Sequence, residues 1–355
     1  MSILTSRGAR AAASLSALAL AALALSACSG SSSDTSSSDE SAGYGDITLQ
    51  LSWIKNEEFC GEYFADSNGY FTDAGFSSVS FVSGPSTSVS ELVSGTADFG
   101  LSDAVSIGTA VANEGAPLKI IGTTYQKNPF EILSLADGAD ISSPEDMKGL
   151  KIGVQDSNLG LFDAFLAVNG MSESDVTVVP VQYDTSVLTN GEVDGYVAYV
   201  TNESITVQAE GYEVTDLTFA DNGLPFVAET FVATDDMIAD NPDEVKAFLT
   251  AEIKGWSDAV NDPQGCSDLA VDTYGADLGL DAATSLAGAE AQLNDLVVSD
   301  DTEENGLFTI SDDLKDATLA SLAEAGIDLT ADQLFDTSLL EELYADNPDL
   351  IDYAG

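Results

Sequence analysis

An α/β fold of two lobes with a helical tail is the architecture this sequence predicts. Three observations lead there. From residue 47 to about 234, short apolar runs with a period of two alternate with segments of helical period, which is how a largely parallel sheet covered by helices is encoded. The alternation passes through two successive groups of strands, and beyond residue 241 only helical patterns follow. About 310 residues follow a polar tract that ends near residue 45, too many for one small core and well suited to two.

The chain begins with Arg7 and Arg10, an Ala/Leu/Ser run over residues 11–25, and small residues leading into Cys28. That is the pattern of an export signal. Its roughly 15 to 17 apolar residues fall short of the roughly 20 that a spanning helix needs. Leu25-Ser26-Ala27-Cys28 resembles the lipobox of bacterial lipoproteins. The resemblance implies a signal peptide over residues 1–27, lipidation of the Cys28 thiol, and an extracytoplasmic protein anchored to the cell membrane. Residues 28–45 are mostly Ser, Gly, Asp and Thr, cannot bury enough surface to order themselves, and read as a flexible stalk.

Ile47-Thr-Leu-Gln-Leu-Ser-Trp53 alternates as a half-buried strand, and a second strand covers residues 79–82. Gly84-Pro85-Ser86-Thr87-Ser88 then starts a helix ending at Gly95. Strands at 99–101 and 118–125 flank a helix over 105–113. Ser143-Pro144-Glu145-Asp146 combines a capping hydroxyl, proline at the first helical position and acids in the first turn. Strands follow at 151–155, 176–182, 193–200 and 212–219, with a helix over 158–169 after the first of them. Asn241-Pro242-Asp243-Glu244 opens a strong amphipathic helix carrying Phe248, Ile253 and Trp256. The expected division is lobe one from residues 46–130 and 230–355, lobe two from 131–229, with hinges near 126–135 and 229–234. No repeat of 20 to 50 residues is visible.

Charge and composition exclude whole classes of function. The chain has 10 Lys+Arg against 61 Asp+Glu and no histidine, a formal charge of −51. Both arginines lie before Cys28, where there are no acids, so cleavage there would leave 8 lysines against 61 acids, or 8 − 61 = −53. Such a polyanion repels nucleic acid and anionic lipid. Its self-repulsion suits surroundings of substantial ionic strength. Without histidine, Ser-His-Asp and Cys-His hydrolases and imidazole-ligated zinc sites are ruled out. A carboxylate pair could still serve as acid and base, but no spacing among so many acids stands out as one. Cys60 and Cys266 are the remaining thiols; outside the cytoplasm they either bond to each other or stay as two buried thiols.

Several short segments, in order, resemble one family. Leu51-Ser-Trp53, Phe59-Cys-Gly61-Glu-Tyr63-Phe-Ala65 and Asn68-Gly69-Tyr70-Phe71 are similar to its opening strand, first pocket helix and "GYF" turn. Gly95-Thr-Ala97-Asp98-Phe99-Gly100 is similar to its "G-x-A-D-x-G" segment. Ser143-Pro144-Glu-Asp-Met-Lys148-Gly149-Leu-Lys151-Ile-Gly153 resembles "S-P-x-D-L-K-G-K-x-I-G", and Asn190-Gly191-Glu-Val193-Asp194 with Asn202-Glu203 resembles "G-x-V-D…N-E" of the pyrimidine-binding branch. The family is that of the substrate-binding proteins of ABC importers for thiamine pyrimidine, riboflavin, sulfonate, nitrate and taurine. The resemblance implies a periplasmic-binding-protein-like fold of type II, a ligand cleft between the lobes, a helical C-terminal extension, and a monomer that docks on a permease and its ATPase. It implies no cofactor and no chemistry on the ligand. A fungal enzyme that makes the thiamine pyrimidine from its own histidine and a pyridoxal cofactor is also similar, but its essential histidine and cysteine-rich iron motif are absent here.

The missing arginine argues on ligand class, because sulfonate, nitrate, phosphate and carboxylate are best held by the guanidinium fork. A neutral or cationic planar heterocycle is expected, a thiamine-precursor pyrimidine or a riboflavin-like ring. A sulfonate, taurine or nitrate receptor using backbone donors near Ser86 or Asn158 is the alternative within the class, and an extracytoplasmic sensor module the alternative outside it. Trp53, Phe59, Tyr63, Tyr125, Phe162, Tyr196 and Tyr199 are the candidate ring-stacking aromatics, although each could equally be a core residue. The alternation over 193–200 allows only one of Tyr196 and Tyr199 to reach a cleft. Asn202 and Glu203 are candidates for reading the ring edge, Asp103 is a similar case at a strand end, and Gly84 and Ser86 complete the expected loop.

Overall fold

Strand β1 (Gly45–Gln50) buries Ile47 and Leu49 and pairs in parallel with both β2 (Phe76–Val82) and β3 (Phe99–Ser102). The protein is seen here as a computed structural model describing residues 43–353; the leader, Cys28 and the stalk through residue 42 lie outside the described residues. β4 (Leu118–Tyr125) forms the far edge of this first sheet, and β10 (Ala228–Thr234) lies antiparallel between β3 and β4, giving the order β2-β1-β3-β10-β4. β5 (Phe130–Leu135), β6 (Lys151–Gln155), β7 (Thr177–Val181), β8 (Gly195–Tyr199) and β9 (Val214–Thr218) build a second sheet in the order β7-β6-β8-β5-β9. There β5 is the antiparallel member. The fold is α/β, two-lobed and of the type II periplasmic-binding-protein kind, with a helical C-terminal region.

The expected hinges need correction. Residues 130–135 and 228–234 are interior strands, one in each sheet, and the chain passes between the sheets at 126–129 and 219–227 instead. The reason is visible in both runs: Phe-Glu-Ile-Leu-Ser-Leu and Ala-Glu-Thr-Phe-Val-Ala-Thr are apolar and rich in β-formers. Backbone groups in such buried runs need ladder partners on both sides. These two strands also make the sheets mixed rather than largely parallel.

The helical tail packs on the first sheet. Helix Pro242–Asn261 lies against helix Cys60–Ser67 so closely that a Cβ on Gly61 would strike the Trp256 ring, and one on Gly255 would strike the Gly61 carbonyl. A disulfide between Cys60 and Cys266, with Cα atoms 5.0 Å apart, joins the same region to the next helix, Pro263–Leu269. Further on, Thr123 and Gln126 donate their N–H groups to the carbonyls of Phe308 and Leu296, and Phe335 bridges to Ile120. Among the described residues no helix is long and apolar enough to cross a membrane.

Candidate ligand cleft

Between the two sheets lies a cleft with about 470 Å³ of atom-free space, open to solvent on one side. Ser52, Trp53, Glu58, Ser86, Asp103 and Glu229 come from the first sheet and its loops. Phe130, Gln155, Asn158, Tyr199 and Glu203 face them from the second. The loop after β2 is tied to the end of β1, because Gly84 N–H donates to the Trp53 carbonyl at 2.6 Å and Ser86 N–H to that of Ser52 at 2.9 Å. A Cβ at Gly84 would collide with the Ser52 carbonyl, so only glycine permits this approach. Asp103 caps helix Ala104–Thr109, accepting from the N–H groups of Val105 and Ser106 at 2.8 and 2.9 Å and from the Ser106 hydroxyl at 2.6 Å.

Glu229 is the structural centre of the cleft. Its φ of 44° puts a non-glycine residue in the left-handed region, and it drops out of the pairing that joins Ala228 to Tyr125 and Thr230 to Thr123. Such a conformation costs about 1–3 kcal/mol and persists only where the surroundings hold it, commonly at functional sites. Here the carboxylate reaches both walls: Ser52 Oγ donates to it at 2.9 Å from one lobe and Tyr199 Oη at 2.9 Å from the other. Phe130 meets the Tyr199 ring edge-on, with centroids 4.5 Å apart, and fixes its plane. Glu203 accepts the Tyr199 N–H at 2.9 Å.

The electrostatics are one-sided. Glu58, Asp103, Glu203 and Glu229 line the cleft, and no lining side chain among the described residues is basic. Burial pushes Glu203 up to about 7, while the Tyr199 N–H bond works against the shift. Burial likewise pushes Glu229 up to about 7, opposed by the Ser52 and Tyr199 hydroxyls and assisted by Asp103. Glu58 rises well above the usual carboxylate range, through burial first and then the charges of Glu229, Glu203 and Glu57. Near neutral pH these groups are poised between acid and carboxylate, and a cation or a set of N–H donors would settle them in the ionised form.

The model of one protein family matches residues 56–266, described as NMT1/THI5 like. The chain belongs to the NMT1/THI5-like family. Among curated relatives, the riboflavin-binding protein RibY of Chloroflexus aurantiacus is 29% identical over 232 residues, covering 63% of this chain and 65% of that protein. A 4-amino-5-hydroxymethyl-2-methylpyrimidine phosphate synthase of Schizosaccharomyces pombe is 26% identical over 231 residues, covering 61% and 66%. The chain thus spans a little under two thirds of RibY. Among solved structures, the periplasmic aliphatic sulphonate-binding protein SsuA of Escherichia coli superposes with a TM-score of 0.61 at 15% identity, over 82% of this chain and 92% of that one. The nitrate-binding protein NrtA of Synechocystis PCC 6803 gives 0.64 at 14%, over 86% and 90%. The desulfurization enzyme DSZB has the same fold, at 0.60 and 14% over 85% and 99%. At these identities the structural likeness is one of fold.

Within this family member, Trp53, Ser86, Asp103, Asn158, Tyr199 and Glu203 stand on the cleft wall. Asn202 lines an adjoining groove, and Gly84 acts behind the wall through its backbone. The other five candidate aromatics are core residues. Tyr63 stacks on Tyr274 with centroids 4.2 Å apart, and Phe59 meets Tyr63 edge-on. Phe162 is fully buried in helix Leu159–Val168. Tyr125 donates to Gln292 at 2.6 Å behind Tyr199, and Tyr196, on the opposite face of β8, donates to the Gln182 carbonyl. Each buries a large apolar ring, which is what core positions select for. Ser52, Glu58, Phe130, Gln155 and Glu229 were not singled out in the sequence. A lone acid inside an apolar run, as in Phe226-Val-Ala-Glu229-Thr-Phe-Val, is a signal that could have found Glu229. The same signal also picks out Glu131 and Glu252, which are buried away from the cleft lining.

Proposed function

We propose that this chain is the solute-binding lipoprotein of an ABC importer, and that it captures a small planar aminopyrimidine of the thiamine-precursor type and passes it unaltered to a membrane permease. The observation carrying this reading is the pairing of Trp53, Phe130 and Tyr199 with four carboxylates in a cleft free of basic side chains. An aminopyrimidine offers a flat face to the rings and an amino group, together with a protonatable ring nitrogen, to Glu58, Glu203 and Glu229. Charge-assisted bonds of this kind are roughly twice as strong as neutral ones. A sulfonate or nitrate would meet like charge on every side, so the anion reading is disfavoured by the same geometry.

The lobes would be residues 46–130 with 230–355 and residues 131–229, as the membership of the two sheets supports. Cys28 would carry the lipid that holds the protein, a monomer, on the outer face of the cell membrane. Binding without turnover fits a chain without a single histidine, which lacks the commonest general base. Relatives named as a pyrimidine synthase make turnover worth measuring directly.

The test is calorimetric titration of the full chain with 4-amino-5-hydroxymethyl-2-methylpyrimidine, taurine and nitrate, with the pyrimidine recovered and analysed afterwards. Micromolar or tighter binding of the unchanged pyrimidine is expected. Tight binding of either anion with no response to the pyrimidine would overturn the reading, and a converted pyrimidine would replace it with an enzyme.

A further inference from the structure

The cleft does not end at Trp53. That side chain and Glu203 also form part of a second hollow between the same two sheets, a groove with about 1190 Å³ of atom-free space. One side is built from residues 183–185 and helix Glu203–Ala209, the other from residues 54–57, the turn at 278–281 and the start of helix Ala282–Gln292. Its ionisable lining is again wholly acidic, with Glu57, Asp184, Glu203, Glu210 and Asp281 and no base among the described residues. Ser285, 3% exposed, presents to it a buried hydroxyl that has no hydrogen-bond partner. At the mouth stand Tyr183 and Leu278, 52% and 39% exposed, two large apolar side chains left facing solvent on opposite walls.

A single pyrimidine ring fits the first hollow and leaves the second unused. An unsatisfied buried hydroxyl costs about 1–3 kcal/mol, and exposed apolar side chains on two facing lips gain nothing until something lies between them. We propose that the groove is a second compartment of the ligand site, taking a cationic, hydroxyl-bearing ring or chain joined to the planar head held beside Trp53. This rests on the aminopyrimidine reading of the first compartment. The acids supply the field for the cation, Ser285 the hydrogen bond for the donor, and Tyr183 with Leu278 the apolar cover. Burial, reinforced by the charge of Glu203, pushes Glu57 up to about 7, so a cation seated beside it would also drive off a proton.

Two probes separate the compartments: 4-amino-5-hydroxymethyl-2-methylpyrimidine, which is head alone, and thiamine, which carries the same head on a cationic ring with a hydroxyethyl arm. Both are titrated calorimetrically into the full chain and into Ser285→Ala and Glu57→Gln, in two buffers of different ionisation enthalpy to count protons. Thiamine is expected to bind about tenfold tighter or more, the effect of one good charge-assisted contact, and to release protons near pH 7. In the variants that advantage shrinks toward unity, and Glu57→Gln loses its share of the proton release. Pyrimidine affinity stays within about twofold of wild type, because neither residue lines the first compartment. Thiamine binding no tighter than pyrimidine, or an advantage that survives in both variants, would sink the second compartment while leaving the pyrimidine receptor standing. Failure of both probes to bind would remove the receptor reading and this inference together.

Discussion

Replacing Glu57 by Gln should make this protein more stable at pH 8 and leave it nearly unchanged at pH 5. Glu57 is buried, and burial followed by the charge of Glu203 lifts it from the ordinary 4.5 to about 7. In the unfolded chain the same carboxyl ionises near its usual value. Between those two values the native state holds a proton that the unfolded state has released, so stability falls as the pH rises through this window. The distance from 4.5 to about 7, at about 1.4 kcal/mol per pH unit, amounts to about 3 kcal/mol lost by pH 8. Glutamine keeps the shape and removes the titration. Urea unfolding at pH 5, 6, 7 and 8 and constant ionic strength would then show a gap between variant and wild type that opens by about 3 kcal/mol with rising pH. Comparing the two proteins cancels the general repulsion of a chain carrying a net charge of −51. A gap independent of pH, or one that closes as the pH rises, would refute the argument that Glu57 is held protonated by burial.

Three further outcomes follow from the same geometry. Glu229→Gln should weaken pyrimidine binding roughly 10- to 100-fold in a calorimetric titration, the equivalent of about 1.5–3 kcal/mol for a hydrogen bond to a charged group, while its fold, read by circular dichroism, is retained. Trp53→Ala should abolish the ligand-dependent change in tryptophan fluorescence, because the other tryptophan, Trp256, is 1% exposed and packed between helices. Serine at both Cys60 and Cys266 should cost about 3–5 kcal/mol of unfolding free energy, since the bridge spans a sequence separation of 206; equal stability of the serine variant and wild type would place the bridge outside the folding energetics.

How far the sequence spoke depended on which physical term governs each feature. Period-two runs and capped helices are local, and residues 99–101, 118–125 and 151–155 are indeed strands, while Ser143 with Asp146 closes a capping box. The lone antiparallel strand in each sheet depends instead on which runs meet in space. The runs 130–135 and 228–234 were therefore legible as apolar and illegible as sheet interiors. Among the candidate residues, aromatics were ambiguous because a ring gains as much from a core as from a ligand, and five of seven went to the core. Acids are different. Taking a carboxylate out of water costs several kcal/mol unless something partners it, so a buried acid in an apolar run marks either a satisfied network or an unfinished one. Glu229 is partly satisfied by Ser52 and Tyr199, and Glu58 and Glu203 share its space without a single cation. For a binding protein, that unfinished balance gives the partner a definite chemistry. The free energy stored in unneutralised carboxylates is released only by a ligand bringing positive charge or N–H donors, so selectivity for such ligands over anions is built into the apo cleft before any shape is matched.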